Sequence, residues 1–407
     1  MDAKKLPVRP SLEQYRKQAK ELLKACKTGE PDAIQRIKRH HHQASKPNDP
    51  GILSGKFALA DAQLVIAREY AFESWPKFAK HIEALTHEKS PVSQFELAAD
   101  AIVAGDAPTL KRLLRENPEL IRQHSTRVHR ATLLHYLGAN GFEDYRQKSP
   151  KNVVEIATIL LSAGTEVDAV ADTYYGKGTT LSLVASSIHP KRAGVQIALL
   201  ETLLDAGAAV DGILGGSNPV ISALHNGRGE AAEFLANRGA LLDLEGAAGV
   251  GRLDLVRSFF NEDGGLSANA TKAQMESGFL WACEYGRNDV VDFLLQRGTD
   301  VRAQSNTGLT GLHWAVVGGK LATIKLLLER GAPLEEKNVY GGTAQGQALW
   351  SAFNGDSGID YVSMIEMLID AGAKVEPGSL AWLAKQTGSA LTKGRLEALL
   401  RRHGATP

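Results

Sequence analysis

Thr310-Gly311-Leu312-His313-Trp314-Ala315, then Gly318-Gly319, then Ile324-Lys325-Leu326-Leu327-Leu328-Glu329-Arg330-Gly331-Ala332, is the stretch that decides the fold. Apolar residues recur at three- and four-residue spacing on either side of the glycine pair, so a short helix turns at Gly318-Gly319 into a second helix. Gly331 closes the second helix, because glycine adopts the left-handed C′ conformation at no steric cost. The same pattern occurs just upstream. Phe279-Leu280-Trp281-Ala282, Tyr285-Gly286 and Val290-Val291-Asp292-Phe293-Leu294-Leu295-Gln296-Arg297-Gly298 repeat it, with Gly298 and Gly331 33 positions apart.

That period, with the start at Thr310-Gly311-Leu312-His313, resembles the ankyrin repeat. Gly311 stands where the family usually has Pro, and most other units lack the Thr and the His. Working outward, further units end at Ala163-Gly164, Ala206-Gly207-Ala208, Arg238-Gly239-Ala240, Gly264-Gly265, Ala371-Gly372-Ala373 and His403-Gly404-Ala405. The expected fold class is all-α: an ankyrin-like helical-hairpin solenoid of about nine repeats over residues 95–407, preceded by a small helical domain over 1–89. Arg395, Arg401, Arg402 and His403 around the final helix read as a polar cap on an otherwise exposed apolar end.

Composition restricts function. Lys and Arg total 47 against 46 Asp and Glu, a net charge of +1, which gives no whole-chain argument for nucleic acid or an anionic membrane. Forty glycines fit many helix ends rather than disorder, because the apolar content is ordinary. The two cysteines, Cys26 and Cys283, lie far apart and suggest a reducing compartment, with Cys283 an inert core thiol. No window reaches the roughly 18 apolar residues of a membrane span, so a soluble cytoplasmic protein is expected.

The first 89 residues read as four helices. Ser11 with Gln14 is a capping-box pattern before Leu12, Tyr15, Ala19, Leu22, Leu23 and Cys26; further helices are expected at 31–41, 57–70 and 74–87. His40-His41-His42 reads as a solvated helix end rather than a metal site, since adjacent helical residues point apart and Lys46-Pro47-Asn48-Asp49-Pro50-Gly51 follows. Leu59-Ala60-Asp61-Ala62-Gln63-Leu64-Val65-Ile66-Ala67-Arg68-Glu69-Tyr70, with Ser74-Trp75-Pro76, is similar to the N-terminal extension of some bacterial ankyrin proteins. That resemblance implies no function.

Within the array, Trp281, Trp314, Trp350 and Trp382 fall at one position of four successive repeats, 33, 36 and 32 residues apart. In the ankyrin family this stripe faces the inner, concave wall, where helices about 8–10 Å apart set the rings along roughly 30 Å of groove. The same register places Tyr136, Ala139 and Asn140, then Leu183, Ser186 and Ser187, then Ser222, His225 and Asn226 on the wall. Beyond Gly246, Gly249 and Val250 come Glu284 and Tyr285 beside Trp281, Phe353 and Asn354 beside Trp350, and Lys385 and Gln386 beside Trp382. A recess is expected between His225 and Glu284/Tyr285. The competing view is that each Trp packs on its own hairpin or on the next unit. His135 and His313 are assigned the family's structural role of tying hairpin to helix.

Three units are lengthened between their helices, at 141–150, 187–194 and 354–360, and a further excess at Gln345-Gly346-Gln347 is expected in a hairpin. Insertions in repeat proteins often map to a binding face, so Tyr145, Arg146, Lys148 and Arg192 join the candidate contact residues. Dedicated chemistry is thin. Gly176-Lys177-Gly178-Thr179-Thr180 lacks phosphate-loop spacing and reads as a turn, and no C-x-x-C, H-E-x-x-H or G-x-S-x-G occurs. No cofactor or metal is expected. Glu284 as acid and His225 as base are catalytic candidates, but two repeats separate them by roughly 20 Å. Sugar cleavage needs two carboxyls about 5–10 Å apart, and the second would have to come from Glu143, Asp144, Asp356 or Asp360.

The resemblance implies a non-catalytic protein that holds a protein or peptide along a tryptophan-lined groove. The alternative is an enzyme or receptor for a small aromatic-stacking ligand such as a carbohydrate, closed in by the insertions. Neither nucleic acid nor membrane is an expected partner.

Overall fold

The computed structural model describes residues 3–41, 57–174 and 176–405. His42 and residues 46–51, discussed above, lie outside them. The chain divides into two compact units, Met1–Ala231 and Ala232–Pro407.

In the first unit, α1 (Leu12–Lys27), α2 (Pro31–His40), α3 (Leu59–Glu69) and α4 (Trp75–Leu85) share one core. α1 buries Tyr15, Ala19, Leu22 and Cys26, the stripe expected from their spacing. Ser11 has the extended backbone of an N-cap, but its side chain makes no capping hydrogen bond, so the expected capping box is not formed. Tyr15 meets Phe78 edge-on at 4.9 Å, and Tyr70 stacks on Phe78 at 5.3 Å. Glu69 is buried and neutralised by Lys4 and Arg36, each at 2.7 Å.

The helical pairs begin with α5 (Pro91–Ala104) and α6 (Ala107–Glu116). Between them Gly105 takes φ +73° and Asp106 caps α6 by accepting from Thr109 N. The next inner segment, Leu134–Gly138, is a 3-10 turn rather than an α-helix. Its partner is α7 (Val153–Ser162). A two-stranded antiparallel hairpin follows, β1 (Val170–Thr173) against β2 (Gly176–Thr179), so the glycine-rich 176–180 segment is hairpin backbone leading into a helix. Then come α8 (Thr180–Ser186), α9 (Ile188–Arg192), α10 (Gln196–Asp205), α11 (Pro219–His225) and α12 (Gly229–Asn237). α9 is the 187–194 insertion, folded as one short helix.

The second unit stacks α13 (Leu244–Val250) with α14 (Leu253–Ser258), α15 (Lys272–Tyr285) with α16 (Asn288–Gln296) and α17 (Gly311–Val317) with α18 (Leu321–Glu329). α19 (Ala344–Asn354) with α20 (Tyr361–Asp370) and α21 (Ser379–Lys385) with α22 (Ala390–Arg402) complete it. One continuous core runs from Leu244 to Leu400. Gln345-Gly346-Gln347 does not lengthen a hairpin as expected: it extends α19 to 11 residues against 7 in α17, with Gln345 buried. Close stacking depends on missing side chains. A Cβ on Gly318 would lie 1.8 Å from the Glu284 carbonyl oxygen, so α15 and α17 approach at a distance only glycine permits.

Candidate functional site

The four aromatic positions lie on the first helices of successive pairs, and α17 packs between α15 and α19. Their exposure grades along the row. Trp281 is buried, Trp314 and Trp382 are partly exposed, and Trp350 is 52% exposed. Trp281 and Trp314 meet edge-on at 5.0 Å, and Trp382 meets Phe353 at 5.8 Å. Trp281 packs within the stack, as the competing view expects of every ring, whereas Trp350 presents its ring to solvent. Asn354 supports that ring's backbone through Nδ2 to Trp350 O at 2.9 Å, and Lys385 is exposed on α21.

The sparse stretch at Gly246, Gly249 and Val250 is not an open part of the wall. All three are buried, and Trp281 reaches α13 by donating from Nε1 to Glu245 Oε1 at 2.8 Å. Small residues here serve helix contact, since a Cβ on Gly278 would lie 2.8 Å from Ala248 Cβ. Glu284 is buried at the end of α15 and Tyr285 is partly exposed beside it. His225 is exposed at the end of α11, in the first unit.

Part of the 141–150 insertion is packed into the core. Its Arg146 is buried, donating from Nε to Asp100 at 2.8 Å and from Nη2 to Glu96 at 2.9 Å, with the guanidinium over the rings of Tyr136 and Tyr145. Glu143 is fully buried against Arg127 and His129. Arg127 also donates to Glu96 at 2.9 Å and to the Tyr70 carbonyl at 3.1 Å. Burial opposes the charge on Glu96, but Arg127 and Arg146 outweigh it and bring the carboxyl down to about 2. Glu143 is likewise held far below the usual carboxylate range against burial, chiefly by Arg127. Tyr136 is 1% exposed beside Phe142. Tyr136 and Arg146, expected as contact residues, are therefore core. Lys148 and Arg192 are exposed, and Tyr145 is partly so. The wall residues Asn140, Leu183, Ser186, Ser222 and Asn226 do come together, with Tyr174 of the hairpin, around a cavity of about 340 Å³ lined by uncharged side chains.

Of the two histidines, His313 makes the expected tie and His135 makes a local one. His313 Nδ1 lies 2.8 Å from Thr310 Oγ1 and Nε2 lies 3.1 Å from the Gly342 carbonyl, tying α17 to the following hairpin. His135 lies 2.8 Å from Thr132 Oγ1, and burial brings its pKa down to about 4. Of the carboxyls weighed for sugar cleavage, Glu143 is buried in the ionic cluster, Asp144 is exposed, Asp356 accepts from Gly358 N at 2.9 Å, and Asp360 caps α20 and faces Arg395 at 3.5 Å. Cys26 and Cys283 are buried free thiols, both raised by burial. Among the described residues no group of three His, Cys, Asp or Glu side chains is placed to hold a metal ion, and no helix is long and apolar enough to cross a membrane.

Residues 244–338 and 279–378, inside the second unit, match the family model "Ankyrin repeats (3 copies)". Among curated proteins, the chain is similar to a palmitoyltransferase of Lachancea kluyveri, 32% identical over 83 residues, 20% of this chain and 11% of that protein. It is similar to inversin of Danio rerio, 34% identical over 65 residues, 16% of this chain and 6% of inversin. It is also similar to the ankyrin repeat and KH domain-containing protein mask of Drosophila melanogaster, 36% identical over 95 residues, 23% of this chain and 2% of that protein. The chain thus spans only a small part of the curated relatives it matches. A solved structure, the human ASB11 ankyrin repeat domain, aligns with 69% of this chain and 99% of its own at 20% identity, with a TM-score of 0.35.

Proposed function

We propose that this chain, whose residues 244–378 carry ankyrin repeats, is a non-catalytic binding protein that holds a protein or peptide on the aromatic row of its second unit. Ankyrin repeats in general mediate protein–protein interaction. The observation that carries the reading is the exposed indole of Trp350 between the partly exposed Trp314 and Trp382. A large ring held half in solvent by a rigid helix is a typical binding anchor, because it buries much area at small entropic cost. Trp314, Trp350, Phe353 and Trp382 supply apolar contact, while Tyr285, Asn354 and Lys385 orient the partner. Trp281 and Glu284 hold the row from beneath.

We assign α1–α4 to a module distinct from the repeat array, on the strength of their shared core. Two free cysteines in different units support a reducing, cytoplasmic setting. The relatives described above are all eukaryotic, so they lend no weight to a bacterial affinity of the N-terminal helices.

The test is selection of peptides from a displayed library on the immobilised full chain, followed by affinity measurement on Trp350→Ala and Trp382→Ala. Selected peptides should bind each variant about tenfold or more weakly, the range of an aromatic hot spot. Peptides indifferent to both substitutions would refute the aromatic row as the site.

A further inference from the structure

A cavity of about 360 Å³ opens in the first unit between α4 and residues 124–130. Its floor is apolar, formed by Ala84, Val92, Val128 and the ring of His81. His81 is 1% exposed, its Nδ1 lies 2.7 Å from Thr126 Oγ1, and burial brings its pKa down to about 4, so the ring is neutral near pH 7. A smaller hollow of about 220 Å³ shares Val92, His124 and Thr126 and continues past Phe95, which lengthens the apolar floor.

The rim is of one sign. Lys77, Lys80 and Arg130 line it with Glu73 as the only carboxylate among the lining residues, and Glu73 is already paired with Lys77. Lys80 and Arg130 are exposed, and among the described residues neither side chain has a carboxylate partner. Arg127 forms part of the inner wall, but Glu96 and Glu143 neutralise it, so it shapes the cavity without leaving charge to spare. Arg130 also holds a left-handed backbone, φ +50°, uncommon for a residue with a side chain.

An apolar floor beneath a cationic mouth selects a particular ligand. A neutral polyol would leave the floor unsatisfied, and a cation would be repelled at entry. The volume is that of a small-molecule site. We propose that this cavity binds a small molecule carrying one anionic group on a compact apolar body, the anion held between Lys80 and Arg130 and the body against Ala84, Val92 and Val128. The site is separate from the aromatic row of the second unit and does not depend on it.

The test is calorimetric titration of the full chain with phenyl phosphate, with inorganic phosphate and benzyl alcohol as the two halves of the probe. Saturable binding of phenyl phosphate at about 1 mM or tighter is expected, and each half should bind at least about tenfold more weakly. The double variant Lys80→Ala/Arg130→Gly removes both exposed charges, and glycine suits the backbone at position 130. A thermal melt checks its fold, and it should lose about tenfold or more in phenyl phosphate affinity. Four results overturn the proposal: no saturable binding, unchanged affinity in the double variant, inorganic phosphate binding as tightly as phenyl phosphate, or benzyl alcohol doing so.

Discussion

The indole Nε1 of Trp281 donates to Glu245 Oε1 at 2.8 Å, a bond that joins α15 to α13. It separates two residues that share one register position. Trp281 is 8% exposed and Trp350 is 52% exposed, so the first belongs to the stack and the second to its surface. Trp281→Ala removes a buried ring and leaves Glu245 without that donor. It should cost about 3–4 kcal/mol by urea denaturation, in the range of large-to-small core substitutions. Trp350→Ala should cost less than about 1 kcal/mol. Equal losses in the two variants would contradict this division.

Glu143 lies in the 141–150 insertion, fully buried against Arg127 and His129. Glu143→Gln keeps the shape and removes the charge, leaving Arg127 with Glu96 as its remaining carboxylate. Breaking one member of a buried ionic cluster is expected to cost about 3–5 kcal/mol. The drop should appear as a lower urea midpoint with an unchanged slope. A variant as stable as wild type would mean that the insertion does not anchor the first unit.

Gly318 and Gly331 separate two reasons for glycine. At Gly331, φ is +76° and the space around a Cβ is open, so Gly331→Ala should cost only the conformational term, about 1 kcal/mol. Gly318 has an ordinary φ of −75°, but its Cβ would meet the Glu284 carbonyl at 1.8 Å. Gly318→Ala must push α17 from α15 and should cost at least about 2–3 kcal/mol. Comparable thermal midpoints for the two variants would refute the close approach.

The fold was legible because the repeat writes its period into Gly298 and Gly331 and into the apolar spacing between them. Stripe and turn are local properties, and a 33-residue repeat needs little else. The candidate site was legible only in part. Register placed four tryptophans correctly on first helices, yet it carries no information on which ring a neighbouring helix covers. Trp281 is held because Glu245 stands 36 residues earlier on α13, a relation that periodicity does not contain. The insertion at 141–150 was misleading for a related reason. Charged and aromatic residues in a lengthened segment signal binding as readily as burial, and only Glu96 and Asp100 on α5 reveal that Arg146 turns inward. The clue available was balance: Glu143 and Arg146 three residues apart, with Phe142 beside them, can enter a core as a neutral set.

Buried histidines and the buried ionic cluster make stability depend on pH in two steps. His81 and His135 are each lowered by burial from 6.5 to about 4, so between those values the unfolded chain binds more protons than the native one. Stability therefore rises with pH through that window, and is lost as pH falls from about 6.5 toward 4. Glu96 is lowered from 4.5 to about 2 and Glu143 is lowered further, so their contribution is present above about 4.5 and is lost as pH falls through the folded value. Both steps have the same sign. Together they should remove a few kcal/mol, since each tenfold difference in a group's proton affinity between folded and unfolded chain is worth about 1.4 kcal/mol before solvent and neighbouring charges reduce it. Urea denaturation from pH 7 to pH 3 should show a decline beginning near 6.5 and steepening below 4.5. His81→Gln should soften the first part, and Glu143→Gln should soften the second at lower overall stability. A flat profile between pH 7 and 4.5 would mean that the two histidines carry their protons in the folded state, and the neutral floor assigned to His81 would fall with it.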